Sequence, residues 1–289
     1  MCCASALHRR LFFIVALVLA LAAPLDAQKP AESKPQPLTI RAIGTQQDWK
    51  TDLPTVNKVL HAAAAELWQY FPDHKLDPIL VEPRGGPIVL FRRGKNGEYF
   101  VRLNTGETYW AQYVYQFSHE VCHILGRYRE QDESNKWFEE SLCELASLFV
   151  LRQLSERWEK EPPYKHWKGK DQGLHSYAAD RIKTGALPPG KTLAQWRRDN
   201  ADALTKNATN REKNQIAATM LLPLFEKSPQ HWEAIWHLNQ GENKPRTFDE
   251  YLRNWHDHAP AKHQAFIRAI ANEFEVRINV DEKKANEKK

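Results

Sequence analysis

The sequence lacks the short motifs of several common protein classes. Its 289 residues contain no G-x-x-x-x-G-K-[ST] phosphate-binding loop, no RNP-like motif and no zinc-finger spacing. The sequence also has no large excess of charge of one sign. The net charge is only +5, and the charged residues are dispersed along the chain. A solvated surface of mixed charge fits this pattern better than a basic patch does, so we expect no nucleic-acid partner.

Cysteine is scarce, and two of the four cysteines, Cys2 and Cys3, lie at the amino terminus. They precede an apolar run of 13 residues at 11–23, LFFIVALVLALAA, which follows a basic HRR segment. Together with a small residue at Ala27, this pattern predicts a secretory signal peptide over 1–27, with an uncleaved anchor as the alternative. We therefore expect an exported protein, secreted or periplasmic, without a stable membrane span after cleavage.

The other two cysteines are Cys122 and Cys143. An oxidising compartment permits a disulfide between them. Two buried free thiols, which behave as small hydrophobic residues, are the alternative. The sequence leaves both interpretations open.

Hydrophobic periodicity and turn residues predict an α+β fold after a proline-rich linker at 28–37. From 164 onward the chain is expected to be mainly helical, and it ends in a charged tail at 281–289. The predicted strands are LTIRAIG at 38–44, ILVEP, IVLFRR and EYFVRL at 98–103, and the predicted helices span 52–72, 108–125 (closed by Gly126) and 136–158 (with Ser134 or Asn135 as N-cap).

Two histidines stand four residues apart in YVYQFSHEVCHILG, with Glu120 between them. On a helix, residues i and i+4 lie on one face, so His119 and His123 can direct both imidazoles at one point. The Glu120 side chain leaves the helix about 100° further round, close enough to reach a ligand of a bound metal. This HExxH arrangement predicts a zinc site with Glu120 as general base.

A catalytic zinc site normally has three protein ligands and one open position. The metzincin pattern fails here because its last ligand position holds Arg129, and a guanidinium cannot bind zinc. The segment WFEESLCELAS supplies acids instead. Glu140 and Glu144 share one helical face, and we expect Glu139 to face solvent. Unpaired burial of carboxylates is costly, so a metal with its histidines is the expected partner, and an exposed acidic stripe is the alternative.

HEVCH followed by WFEESLCELAS resembles the gluzincin class of zinc metallopeptidases, which includes thermolysin-like enzymes and membrane-alanyl-type aminopeptidases. Gluzincins take a glutamate ligand from a downstream helix, often within W-x-x-E-G-x-A-x-[YF], and 16 residues lie between His123 and Glu140. The resemblance implies that His119, His123 and Glu140 bind zinc and that Glu120 is the base. It also implies that Glu144 hydrogen-bonds the first histidine and fixes its tautomer.

The resemblance covers about 45 residues and departs from the class in two respects. Ser141 replaces the usual glycine, and the G-A-M-E-N stretch of the aminopeptidases is missing, which disfavours that specificity. The implied organisation is a zincin-like core at 38–160, made of a small twisted sheet, the motif helix and the glutamate helix, with a helical lobe at 161–280. The implied function is a zinc metallopeptidase acting on peptide or protein substrates. A non-catalytic secreted binding protein on the same scaffold is the alternative.

Gluzincins usually take a further oxyanion donor from a Tyr or His of the later helical lobe. Of the available residues we choose Tyr177 as this catalytic group. The strand EYFVRL, just before the motif helix, is expected to be the edge strand that pairs with an extended substrate. The other candidates for the donor are His175, His231, His237 and Tyr251.

Overall fold

The computed structural model describes residues 37–129 and 133–278. They belong to one compact unit, Lys34–Lys289, which is mostly helical and contains a small four-stranded mixed sheet. The predicted α+β class is therefore confirmed. The predictions that lie outside the described residues are the signal peptide at 1–27, the linker at 28–37 apart from Pro37, and the tail at 281–289.

The strands and helices lie where the sequence patterns predicted them, with bounds that differ by a few residues. The strands are β1 (Ile40–Ala42), β2 (Ile79–Glu82), β3 (Ile88–Arg93) and β4 (Tyr99–Arg102). The helices are α1 (Gln46–Trp49), α2 (Leu53–Trp68), α3 (Trp110–Leu125), α4 (Lys136–Lys160), α5 (Asp171–Thr184), α6 (Leu193–Asp199), α7 (Ala201–Lys206), α8 (Arg211–Lys227), α9 (Phe248–His258) and α10 (Ala261–Glu273). Short 3₁₀ helices cover Glu133–Asn135, Lys165–Trp167 and Pro229–His237.

The strand order in the sheet is β1-β2-β4-β3, with β3 antiparallel to β4 and the other pairs parallel. A turn through Gly97, whose φ of 84° suits glycine, joins β3 to β4. Because β4 returns between β3 and β2, both of its edges are paired. The prediction that EYFVRL is the edge strand is therefore wrong, and β3 takes that position.

Helix α4 is the centre of the helical layer, since α2, α3, α5 and α8 all pack against it. Apolar residues occur on all its faces from Trp137 to Leu151, and this part of the helix is buried on every side. Such a pattern is typical of an internal helix rather than an amphipathic one. The buried hydroxyl of Ser147 donates to the Tyr115 carbonyl oxygen at 2.7 Å and joins α4 to α3.

Helix α2 follows the sheet's first strand and packs beside α3. Its amino terminus is capped by Asp52, whose carboxylate accepts the backbone N–H of Thr55 at 2.9 Å. Near its other end the buried Glu66 accepts from the guanidinium of Arg157 on α4, with an Nη2–Oε2 distance of 3.0 Å. This ion pair fixes α2 against the central helix.

The region after α4 is helical, as predicted. Aromatic side chains join α9 to the start of α4, where Phe138 packs edge-on against Phe248, Tyr251 and Trp255. The division of the chain near residue 160 into a core and a lobe stays a prediction. In the part of the chain that the structure describes, no helix has the length and apolar character needed to cross a membrane.

Two phenylalanines provide a matched test of this packing. Phe149 on α4 is 1% exposed and contacts Trp232, with ring centroids 5.2 Å apart, whereas Phe91 on β3 is 56% exposed. We predict that Phe149→Ala lowers the free energy of unfolding by about 3–5 kcal/mol. Phe91→Ala should change it by less than about 0.5 kcal/mol, as exposed substitutions usually do. Urea unfolding followed by circular dichroism measures both, and similar losses in the two variants would contradict the described core.

Candidate metal centre

The two motif histidines of α3 meet a single carboxylate of α4. One oxygen of Glu140, Oε2, lies 3.2 Å from Nε2 of His119 and 3.7 Å from Nε2 of His123. The imidazole rings are 5.0 Å apart between centroids. The structure thus brings together the three residues that the sequence analysis assigned as metal ligands.

Each imidazole also faces a second carboxylate through its other nitrogen. Nδ1 of His123 lies 2.8 Å from Oε1 of Glu139, which is hydrogen-bonding distance. Nδ1 of His119 lies 3.6 Å from Oε2 of Glu144, within ion-pair range but longer than a hydrogen bond. Both rings are therefore oriented with Nε2 toward Glu140. Glu144 is thus a neighbour of His119, but the predicted hydrogen bond between them is not formed at this distance.

The expectation that Glu139 faces solvent is wrong. Glu139 is 5% exposed, and its second oxygen accepts from Nδ2 of Asn239 at 2.9 Å. The same Asn239 amide donates to the Gly126 carbonyl oxygen at the end of α3. Helical geometry turns Glu139 about 100° from Glu140, as predicted, but that direction points to Asn239 because α4 is buried on all sides.

The carboxylates and imidazoles shift one another's pKa. Burial alone would raise the pKa of Glu140, but hydrogen bonds and charge from His119 and His123 outweigh it, and the pKa falls far below its usual range. Burial would lower the pKa of His123. The carboxylates of Glu139 and Glu140 reverse that effect and raise this pKa well above its usual value. Without a metal, the site therefore favours anionic Glu140 beside protonated His123.

Glu120, the predicted base, is 3% exposed and lies beside the two imidazoles rather than between them and Glu140. Burial raises its pKa, and the nearby charges of His119 and His123 offset part of that rise. The nearby backbone of Val89 on β3 also lowers the pKa. Val89 and Glu120 line the same cavity, so the edge strand lies close to the motif helix.

Glu144 is the most buried carboxylate of the group, at 2% exposure. Burial raises its pKa to about 7, even though the charges of Arg181 and Arg211 act in the opposite direction. Its oxygen Oε1 has no hydrogen-bond partner among the described residues. Glu144 is thus poised between its two protonation states near neutral pH.

The two cysteines lie immediately beneath this site as buried free thiols. Burial first, and then a hydrogen bond with Cys122, raise the pKa of the Cys143 thiol well above its usual value. The metal-binding atoms of His119, His123 and Cys143 all lie within 4.8 Å of one another. Cys143 is therefore an alternative to Glu140 as the third metal ligand, and the sequence analysis did not consider it.

A cavity of about 370 Å³ opens in front of the two histidines. One wall is β3, whose Ile88 and Phe91 are the exposed apolar residues nearest the site. Another part of the lining carries the cationic side chains Arg129, Lys136 and Arg211. The remaining lining residues are Pro87, Val89, Tyr115, Gln116, His119, Glu120, His123, Tyr128, Glu133, Glu139, Glu140, Glu144, Thr209 and Asn214.

The predicted oxyanion donor, Tyr177, is not part of this lining. Its hydroxyl accepts from Arg181 at 2.9 Å, and its ring packs edge-on against Tyr115, with centroids 5.5 Å apart. Tyr115 lines the cavity in its place. The role of Tyr177 stays a prediction to which this placement adds no support. The other candidates, also outside the lining, are His175, His231, His237 and Tyr251.

Comparisons of the chain with protein-family models, with curated proteins and with solved structures found no match. The resemblance to gluzincins rests on the residues of the two motifs. Family membership is accordingly an inference from those residues and from the geometry around them.

Three features of the site were not predicted from the sequence. Asn239 lies 100 residues beyond Glu139, and nothing local to it indicates contact with the site. Tyr115 belongs to the face of α3 that carries His119, four residues on, so helical spacing was a usable signal. The position of β3 beside Glu120 depends on strand order, which hydrophobic alternation does not determine.

The contacts of Glu139 make a prediction about metal affinity. Glu139→Ala removes the acceptor that orients His123, so the zinc affinity should fall by about 10–100-fold, the usual loss for a residue that supports a ligand. Glu140→Ala should weaken binding further, because it removes a ligand. Glu156→Ala, an exposed glutamate on the same helix, is the matched control and should bind zinc as the wild type does. Competition with a chromogenic chelator gives the three affinities. Wild-type affinity in Glu139→Ala would show that this contact does not support the site.

Proposed function

We propose that this protein is a zinc-dependent metallopeptidase of the gluzincin kind. The observation that carries the proposal is the position of one Glu140 oxygen between the Nε2 atoms of His119 and His123, at 3.2 and 3.7 Å. Glu120 lies next to this group, at the base of an open cavity. Two imidazoles, one carboxylate and an adjacent glutamate are the components of a hydrolytic zinc site.

The types of donor atom and two of their three separations support zinc. Zinc bonds of 2.0–2.1 Å to nitrogen and oxygen in a tetrahedral site place neighbouring ligand atoms about 3.3–3.4 Å apart, and the two Nε2–Oε2 distances bracket that value. The second nitrogen of each imidazole faces Glu139 or Glu144. Such carboxylate–histidine contacts fix the tautomer that presents Nε2 to a metal.

Glu140 is a better third ligand than Cys143. The Glu140 oxygen already lies at ligand–ligand distance from both Nε2 atoms, and its cavity-facing position leaves a fourth site open to solvent. Cys143 is 1% exposed and does not line the cavity. Binding through Cys143 would draw the metal away from the cavity and toward the buried thiols.

The proposed reaction is hydrolysis of a peptide bond by water. When bound, zinc supplies Lewis-acid activation of the attacking water. Glu120 accepts a proton from that water and returns it to the amine that leaves. Its raised pKa, caused by burial, brings its proton affinity closer to that required for both transfers near neutral pH.

Strand β3 is suited to hold an extended substrate. It is an edge of the sheet, and it lines the cavity together with Glu120. An added strand would pair with its outer backbone groups other than the Leu90 carbonyl oxygen, which accepts from the Tyr128 hydroxyl, and it would contact Ile88 or Phe91. The sequence analysis predicted this edge position for EYFVRL, but the preceding strand, β3, occupies it.

The proposed fold family follows from the same resemblance. The order of elements, strands first, then the motif helix and the glutamate helix, supports a zincin-like core. Export rests on the signal-peptide prediction at 1–27.

We predict one zinc ion per chain in protein purified without added metal or a chelating tag, measured by elemental analysis. Less than about a tenth of an equivalent, with no uptake on titration, would contradict the metal site.

Replacement of zinc by cobalt(II) distinguishes Glu140 from Cys143 as the third ligand. Glu140 coordination gives no near-ultraviolet thiolate-to-cobalt charge-transfer band, whereas such a band, lost in Cys143→Ser, would show that Cys143 is the ligand.

We predict that Glu120→Gln keeps zinc and loses hydrolysis, because the amide preserves size but accepts no proton. Turnover of a quenched fluorescent peptide should fall at least about 100-fold, the lower range for loss of a general base. Glu133→Gln, an exposed glutamate of the same cavity, is the control and should turn over normally. Near wild-type turnover by Glu120→Gln would contradict its role. A zinc-loaded wild type that hydrolyses no peptide would favour a binding protein.

A further inference from the structure

Some of the charged side chains that line the cavity have an ion-pair partner, and others do not. Glu139, Glu140 and Glu144 each form an ion pair with a histidine of the site. At the rim, Lys136 pairs with Glu133 at 3.1 Å. The two remaining cations, Arg129 and Arg211, are exposed and line the same cavity, and neither forms an ion pair with a carboxylate of the described residues.

Arg129 is held in place without being neutralised. Its Nη2 donates to the backbone carbonyl oxygen of Gly241 at 2.8 Å. A guanidinium has five N–H donors, so this bond leaves others available to a ligand. Arg211 is the first residue of α8 and approaches the cavity from a different element of the fold. The two arginines therefore bring positive charge to the cavity from two independent segments.

We propose that Arg129 and Arg211 form a subsite for a carboxylate group of the substrate. This inference rests on the proposed peptidase function and names its substrate class: peptides with an anionic group close to the bond that is cleaved. A planar guanidinium binds a carboxylate through two parallel, charge-assisted hydrogen bonds. A Gln amide of the substrate has the same shape but no charge, so it cannot form both of these bonds. The apolar side chains of β3, Ile88 and Phe91, contact a different part of the same substrate.

The carboxylate has two chemical sources, an Asp or Glu side chain and a free carboxyl terminus. In the first case the enzyme cleaves within chains beside acidic residues. In the second it removes short carboxyl-terminal fragments. The geometry requires only the shared group, so the two sources are separated by experiment.

Equilibrium binding to the zinc-loaded Glu120→Gln variant tests the subsite without turnover. Fluorescent peptides of one sequence would carry Glu or Gln at each position in turn, with either an amidated or a free carboxyl terminus, and anisotropy would give the affinities. We expect a carboxylate at one position or at the terminus to improve affinity about fivefold, the upper range for an exposed ion pair. Improvement only with the free terminus identifies the terminal carboxylate as the source.

Substitutions of the cationic residues that line the cavity show which of them causes the carboxylate preference. Arg129→Gln and Arg211→Gln should each reduce the preference, and the double variant should remove it. Arg211→Glu should instead favour peptides with Lys at the same position. Lys136→Gln is the matched control, because that cation is already paired, and it should keep the preference.

Equal affinity for all peptides, including absence of binding, overturns the proposal, as does a preference that survives in the double variant. The peptidase function is judged separately, from hydrolysis of the amidated Gln peptides by the zinc-loaded wild type. Those peptides need no carboxylate subsite. Hydrolysis without a carboxylate preference would reject the subsite alone, whereas a preference without hydrolysis would reject the peptidase alone.

Discussion

Contact between the carboxylates of α4 and the imidazoles of α3 is the interaction on which the rest of the structure depends. Helix α4 is internal, and unpaired carboxylates in such a position cost several kcal/mol each. Glu139, Glu140 and Glu144 all face an imidazole of the facing helix. These contacts therefore join the two helices, and they also offset the free-energy cost of burying the three carboxylates.

The charge balance of this group explains why a divalent cation suits it. Four buried carboxylates, including Glu120, lie around two imidazoles, and the pKa values of Glu120, His123 and Glu144 are all raised, which favours their protonated forms. In the proposed zinc site a bound dication would supply positive charge instead and leave the imidazoles neutral. Proton release on metal binding is the expected consequence.

Position in the fold gives this group access to a substrate. The cavity is lined by the edge strand β3, by Arg129 just after α3 and by Arg211 at the start of α8, so one side of the site is apolar and another is cationic. Val89 of β3 and Glu120 line the same cavity, so the edge strand is part of the candidate site rather than a distant scaffold.

Local sequence patterns predicted the strands, the helices and the shared helical face of His119 and His123, because each depends on periodicity within one element. The approach of Glu140 to the two histidines was implied by the resemblance to gluzincins. They failed where the outcome depends on packing between elements. The hairpin between β3 and β4 decided which strand is the edge, and burial of α4 on all sides brought Glu139 to His123 and Asn239. Strand order and the far side of an internal helix leave no periodic signal in a single sequence.

The central claim is that one metal ion lies between α3 and α4 on the cavity side of the histidines. A crystal structure of the zinc-loaded protein, with anomalous data collected at the zinc edge, tests it directly. We expect one peak within about 2.0–2.2 Å of Nε2 of His119, Nε2 of His123 and a Glu140 oxygen. A peak bound to Cys143, a peak elsewhere in the protein, or no peak at this position would contradict the account.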